Sequence, residues 1–171
     1  HRTSHRPAAS CMFWTLGAQQ CGKAALACWR EVLLPAFARG QDVALWPFDG
    51  RLAELSASRA LSVVETYPAE CYRQLGLAAR FTKTHVEGRR AQAGALRAAA
   101  AQLGAALGPD LATEAESGFP VGADHSFDAL VGCLALLAVV LGARPEGVPD
   151  DPIVRTVEGW MAGLDATTLP G

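Results

Sequence analysis

The sequence predicts an α/β fold, and three observations carry that reading. Short β-branched, apolar or aromatic runs at residues 12–16, 42–48 and 61–67 have the composition of strands. Stretches with helical apolar spacing, or prolines suited to a first helical turn, follow them, and strands followed by helices pack as layers. At 171 residues and 50% hydrophobic, the chain is long enough for one domain with a full core and too short for two.

Taken in order, residues 1–10 read as an irregular segment, and Met12-Phe13-Trp14-Thr15-Leu16 as a strand ending at Gly17. A helix is expected from about residue 22 to 34, where Pro35 should end or kink it. The second strand, 42–48, is closed by Asp49-Gly50, and the third, 61–67, leads to Pro68 and a helix or loop. Between residues 87 and 107, Leu96, Ala100, Leu103 and Leu107 recur at helical spacing until Gly108-Pro109. Residues 110–122 are polar and contain glycine, which suggests a loop. Residues 124–142 form a helix that is apolar nearly all round, 144–152 with three prolines a connector, and 163–171 a tail.

Several function classes fall away on composition. The uncharged, apolar run at 129–143 is shorter than the roughly 20 apolar residues a membrane span needs, so it reads as a buried helix. The basic N-terminus has no long apolar region after it to make a signal peptide, and the absence of an initiator Met leads us to expect that the natural chain starts earlier. Five cysteines, Cys11, Cys21, Cys28, Cys71 and Cys133, are odd in number and lack C-x-x-C spacing. That argues against a disulfide framework or zinc site and for a reducing, cytoplasmic setting. Nothing in the sequence sets the oligomeric state, and a homodimer stays open.

The net charge of -2 hides an asymmetry. Residues 71–100 hold Arg73, Arg80, Lys83, Arg89, Arg90 and Arg97 against Glu87 alone, whereas residues 101–171 hold ten acids and two arginines. The basic stretch is either a solvated helix face or a strip that contacts phosphates.

Two segments are suited to meet over a metal ion. Val63-Val64-Glu65-Thr66-Tyr67-Pro68 puts a carboxylate at the end of an apolar strand, and Asp124-His125-Ser126-Phe127-Asp128-Ala129 starts a helix with acids. On that helix Asp124, His125 and Asp128 project from roughly one side. Hard divalent cations take such oxygen ligands, with water or phosphate completing the shell. The bland readings stand beside this one. Glu65 could be a buried acid paired with a basic side chain, Asp124 a helix N-cap, and His125 an ordinary surface histidine.

At Trp46-Pro47-Phe48-Asp49, Val64-Glu65-Thr66-Tyr67-Pro68, Lys83 with Arg89, the acids through Asp128-Ala129, and Glu158-Gly159-Trp160, the chain resembles the domain-of-unknown-function family 429. The resemblance spans roughly residues 12–162. It implies an RNase H-like fold related to the RuvC and YqgF nucleases, with a mixed sheet flanked by helices as a single domain over residues 1–171. It further implies a carboxylate site holding two Mg²⁺ or Mn²⁺ ions for phosphodiester hydrolysis, with a nucleic acid as partner and no membrane. Glu65 matches the family's strand glutamate and Asp128 the acid of its last helix, as catalytic residues and metal ligands. His125 stands where relatives usually carry a second acid, and Asp124 is a substitute ligand. Lys83, Arg89 and the adjacent Arg90 are the expected nucleic-acid contacts.

One departure bears on that expectation. The fold normally begins with a hairpin whose first strand carries a central aspartate, and no such strand is found in this sequence. Either an upstream segment supplies it or the protein is a natural truncation with an incomplete metal site. The second case would make it a module that binds nucleic acid or protein without cutting. A rival motif, Gly17 to Ala24, fits G-x-x-x-x-G-K but has Ala24 where a phosphate-binding loop needs Ser or Thr for Mg²⁺. No G-x-S-x-G elbow is present, and no cysteine has a recognisable His partner, so covalent hydrolase mechanisms rank low.

Overall fold

A computed structural model describes residues 21–78 and 81–165. The expected strand at 12–16, the first half of the glycine-lysine motif and Arg80 lie outside the described residues. From Cys21 the chain is helical through three joined pieces: α1 (Cys21–Cys28), a π-helical turn (Trp29–Leu33) and α2 (Leu34–Ala38). Pro35, expected to end or kink the helix, therefore does not end it. It occupies the first turn of α2, where its missing N–H is tolerated. Directly before it the Leu34 N–H donates to the Trp29 carbonyl five residues back, so the hydrogen-bond ladder has already shifted register where the proline enters.

β1 (Val43–Leu45) and β2 (Leu61–Val63) pair in parallel, Val43 opposite Leu61 and Leu45 opposite Val63, with α3 (Leu52–Ser58) as the crossover between them. Both strands are shorter than their apolar runs. The Trp46 N–H still reaches the Val63 carbonyl at 3.0 Å, but Pro47 follows with no N–H to extend the ladder. The Asp49 carboxylate then folds back to accept the outward Leu45 N–H at 2.7 Å.

The rest is helical: α4 (Pro68–Gln74), α5 (Val86–Arg90), α6 (Ala93–Gln102), α7 (Pro109–Ser117) and α8 (Asp124–Val140). The expected helix at 87–107 is interrupted after Arg90. There the buried Gln92 accepts the Ala78 N–H at 3.0 Å, which anchors the α4–α5 connection to the start of α6. The expected loop at 110–122 contains α7. Pro109 at its first turn, Asp110 beside its N-terminus and Gly118 at φ 85° just past its end are ordinary helix boundaries, and the polar composition reflects a helix lying mostly on the surface. The molecule is thus mixed α/β, mostly helical, with a small two-stranded parallel sheet among the described residues.

Two apolar cores share α8. Phe127, Val131, Leu134 and Ala135 pack with Cys71, Leu96, Ala100 and Phe119 from α4, α6 and the segment after α7. Val139, nearer the helix's end, joins Ala44, Trp46, Leu52, Leu55, Val154, Trp160 and Leu164 around the sheet. Leu164 lies within the expected tail, yet it is buried and its carbonyl accepts the Trp160 indole N–H at 2.9 Å. No helix among the described residues is long and apolar enough to cross a membrane.

Glu146 ties the second core together. Its carboxylate accepts the Trp46 indole N–H at 2.9 Å and the Leu52 N–H at 2.8 Å, capping α3 from 94 residues away where Arg51 makes no side-chain cap. Glu146→Ala should therefore lower unfolding free energy by about 1 to 3 kcal/mol, the usual cost of stranding partners of a charged acceptor. Urea unfolding checks this against Glu158→Ala, an exposed control that should change stability by less than about 0.5 kcal/mol.

Candidate functional site

The polar centre forms where α8 leaves its aromatic packing. Phe127 is fully buried against Phe119, Phe81 and Tyr72, with ring centroids 6.1, 5.7 and 6.0 Å away. Asp128, the next residue, points off this apolar floor with its side chain 13% exposed. A carboxylate so enclosed needs donors. Tyr72, on the first helix after Pro68, donates its hydroxyl to Asp128 Oδ1, and the Lys83 ammonium donates to Oδ2. Lys83 remains 38% exposed, so the cluster opens to solvent on its side.

Glu65 follows β2. Its carbonyl accepts the Ala162 N–H at 3.0 Å, which fixes the backbone, and its side chain stands exposed on the surface. The next residue, Thr66, lies against Gly132 on α8, where a Cβ would come within 3.3 Å of the Thr66 hydroxyl. Gly132 is one helical turn beyond Asp128. The chain thus brings the Glu65 segment onto the helix that carries Asp128. Among the described residues no ion pair is made to Glu65, and surrounding protein desolvates its carboxyl enough to push the pKa up from 4.5.

Burial also acts on two neighbours. The Tyr72 phenol is raised above 10, first by burial and then by its hydrogen bond to Asp128. The Cys71 thiol, fully buried behind it, is pushed from 9.0 to about 11, chiefly by burial, which makes it an inert packing group.

Of the expected metal ligands, Asp128 is in this cluster, Asp124 is half-buried and His125 is exposed one turn before it. Among the described residues no group of three or more His, Cys, Asp or Glu is placed to hold a metal ion. The expected nucleic-acid contacts separate. Arg90 is exposed, Lys83 is engaged with Asp128, and Arg89 is fully buried, so a strand lying on the surface would not reach it. Residue type alone could not show this, because three of Arg89's four partners are carbonyls of a distant loop. Two more described cations of the basic stretch pair with acids at the surface, Arg73 with Glu70 and Arg97 with Glu116. Tyr72 was not anticipated. A helical tyrosine gives no sign in sequence of the acid it will meet.

A family model described as "Protein of unknown function (DUF429)" matches residues 34–153, well over half of the chain. The chain belongs to the DUF429 family. No curated protein and no solved structure matches it. The match covers β1, β2, α3 to α8, Glu65, Tyr72, Lys83, Arg89 and Asp128, so every side chain of the candidate site lies within the DUF429 domain.

The two carboxylates should respond oppositely to neutralisation. Asp128→Asn weakens two charge-assisted hydrogen bonds and should lower Tm by about 2 °C or more. Glu65→Gln removes a surface charge that the surrounding protein partly desolvates. With the folded pKa raised, ionising this group on going to neutral pH costs stability, so the variant should match or exceed the native Tm at pH 7. Differential scanning calorimetry of both variants checks the pair.

Alkaline pH tests the buried thiol. Below about 9 both folded and unfolded chains keep the Cys71 proton; between about 9 and 11 only the unfolded chain releases it, so stability falls as pH rises through that window by about 2 to 3 kcal/mol. Tyr72, raised likewise, steepens the fall above about 10. Urea unfolding from pH 8 to 11 should show a shallower decline in Cys71→Ala.

Proposed function

We propose that this DUF429 domain is a divalent-metal-dependent phosphodiester hydrolase, a nuclease of RNase H-like type, with Glu65 and Asp128 as its carboxylates. The observation that supports it best is the state of Glu65: a desolvated acid with no ion pair among the described residues, on a segment packed against the helix that presents Asp128. An acid kept in that condition gains from a cation.

The donor chemistry fits Mg²⁺ or Mn²⁺. Mg²⁺ is commonly held by one or two carboxylates, with water and substrate phosphate filling the shell, so a three-residue cage is not required. Glu65 and Asp128 would be the ligands, with Asp124 and His125 as auxiliaries. Bound there, such ions would supply an activated water and stabilise the leaving oxygen. The chain's own residues set the stage. Tyr72 orients the Asp128 carboxylate through Oδ1, and Lys83 supplies the counter-charge on Oδ2 from a side chain exposed enough to meet a phosphate oxygen as well. The parallel strand pair leading into Glu65 accords with the RNase H-like part of the proposal, since ligands of open α/β sheets sit beyond strand carboxyl ends.

A second reading is favoured by one observation: both oxygens of Asp128 already have protein donors. On that reading the domain is catalytically incomplete and binds nucleic acid or protein without cutting.

Labelled single-stranded, duplex, hybrid and junction substrates incubated with Mn²⁺ distinguish the two. The hydrolase reading expects cleavage of at least one substrate, reduced roughly a hundredfold or more by Glu65→Gln and by Asp128→Asn, beyond the 10- to 100-fold typical of outer-shell changes. It also expects Lys83→Met to bind Mn²⁺ more tightly by electron paramagnetic resonance, because a competing ammonium is gone. Substrate retention without cleavage, and Mn²⁺ affinity indifferent to all three substitutions, would establish the binding module.

A further inference from the structure

The largest fully buried side chain in the described structure is a cation, Arg89, and it has no carboxylate among its hydrogen-bond partners. Its guanidinium instead spans two loops. Nη1 donates to the Lys83 carbonyl at 2.6 Å. Nε donates to the Gly118 carbonyl at 2.7 Å, and Nη2 to those of Pro120 at 2.9 Å and Phe119 at 3.3 Å. The first loop carries Lys83. The second ends four residues before Asp124, where the helix that carries Asp128 begins.

The surrounding backbone is built for this closure. A Cβ on Gly88 would lie 2.3 Å from the Thr82 carbonyl oxygen, and one on Gly118 would lie 2.4 Å from that of Val86. Only glycine lets the two loops approach α5 this closely. Phe119 sits at φ 61°, a left-handed conformation unfavourable for a bulky residue, yet it is buried and offers its carbonyl to the guanidinium. Strain there is tolerated because Arg89 and the ring packing on Phe127 over-determine the loop. The C-terminal end of α7, just past which Gly118 offers its carbonyl to Arg89, favours the positive charge.

We infer that Arg89 is a positioning residue for the Lys83–Asp128 ion pair: one buried guanidinium holds the backbone at Lys83 and the backbone leading to Asp128 at a fixed separation. This goes beyond the hydrolase reading and holds whether or not the cluster cleaves anything. Lysine cannot substitute, since a single ammonium has three donors at one point and cannot reach carbonyls on both loops at once.

A thermal double-mutant cycle in the full chain tests it, using Arg89→Lys, Lys83→Met and the two combined. A positioning role expects Lys83→Met to lower Tm in the native background and to do so by less than half as much when residue 89 is Lys, because the ion pair is already misaligned. Additive shifts would mean that Arg89 only braces the fold, and would overturn the inference. A second measurement needs no variant and covers failure of Arg89→Lys to fold. With ¹⁵N-labelled lysine, the Lys83 ammonium resonance should keep its hydrogen-bonded shift in 1 M NaCl, where a Debye length of about 3 Å dissolves pairs held by attraction alone. A shift to the free-lysine position in that salt would overturn it equally.

Discussion

A helix that is apolar after its first turns must be covered over most of its surface, and that requirement organises this domain. α8 has few polar residues to turn toward water once past its first turns, so helices close over one part of it while the sheet and the C-terminal segment close over another. At 1.5 Å per residue the helix runs about 25 Å, enough to pass through both cores. The exception is Asp128. Set beside the fully buried Phe127, it must be answered by donors, and the two that answer come from α4 and from the α4–α5 connection. The burial that builds the core therefore also creates the demand that gathers the site.

Arg89 meets a similar demand with the opposite sign. A buried guanidinium without a carboxylate is tolerable only if its N–H groups are satisfied, and four backbone carbonyls do that here. Those carbonyls gain as well. They lie in irregular segments, where buried backbone groups have no ladder to join. Arg89 thus does for two loops what a strand pairing does for a sheet, and the small sheet of this domain leaves room for such a device. Glu146 works in the same way on the other core, reaching α3 and Trp46 from a proline-rich connector.

Much of this was legible from the residues, and the failures have distinct physical causes. The start of α8 at Asp124 and its end near residue 142 follow from composition, because an uninterrupted apolar run has few other places to go. The strands were overextended, since apolar composition tells of burial while strand length depends on a partner to pair with. α7 was hidden by its polarity, although Gly108-Pro109 and Gly118 mark both its ends. Pro35 misled because the π-helical turn that admits it is a backbone adjustment with no residue signature. At the site, Glu65 and Asp128 were visible as acids at element boundaries. Tyr72 as a partner, and the buried state of Arg89, depend on contacts between segments far apart in the chain, which spacing cannot encode.

The two acids differ in what their surroundings offer them, and that difference bears on function. Asp128 has donors on both oxygens and contributes to the fold. Glu65 is desolvated and has no ion pair among the described residues, so folding gains nothing from its charge. Asp128 alone would be read as an ordinary satisfied acid, and Glu65 alone as an unremarked surface carboxylate. What links them is that the segment carrying Glu65 packs, through Thr66, on the helix that carries Asp128, where Lys83 is the half-exposed cation on that acid.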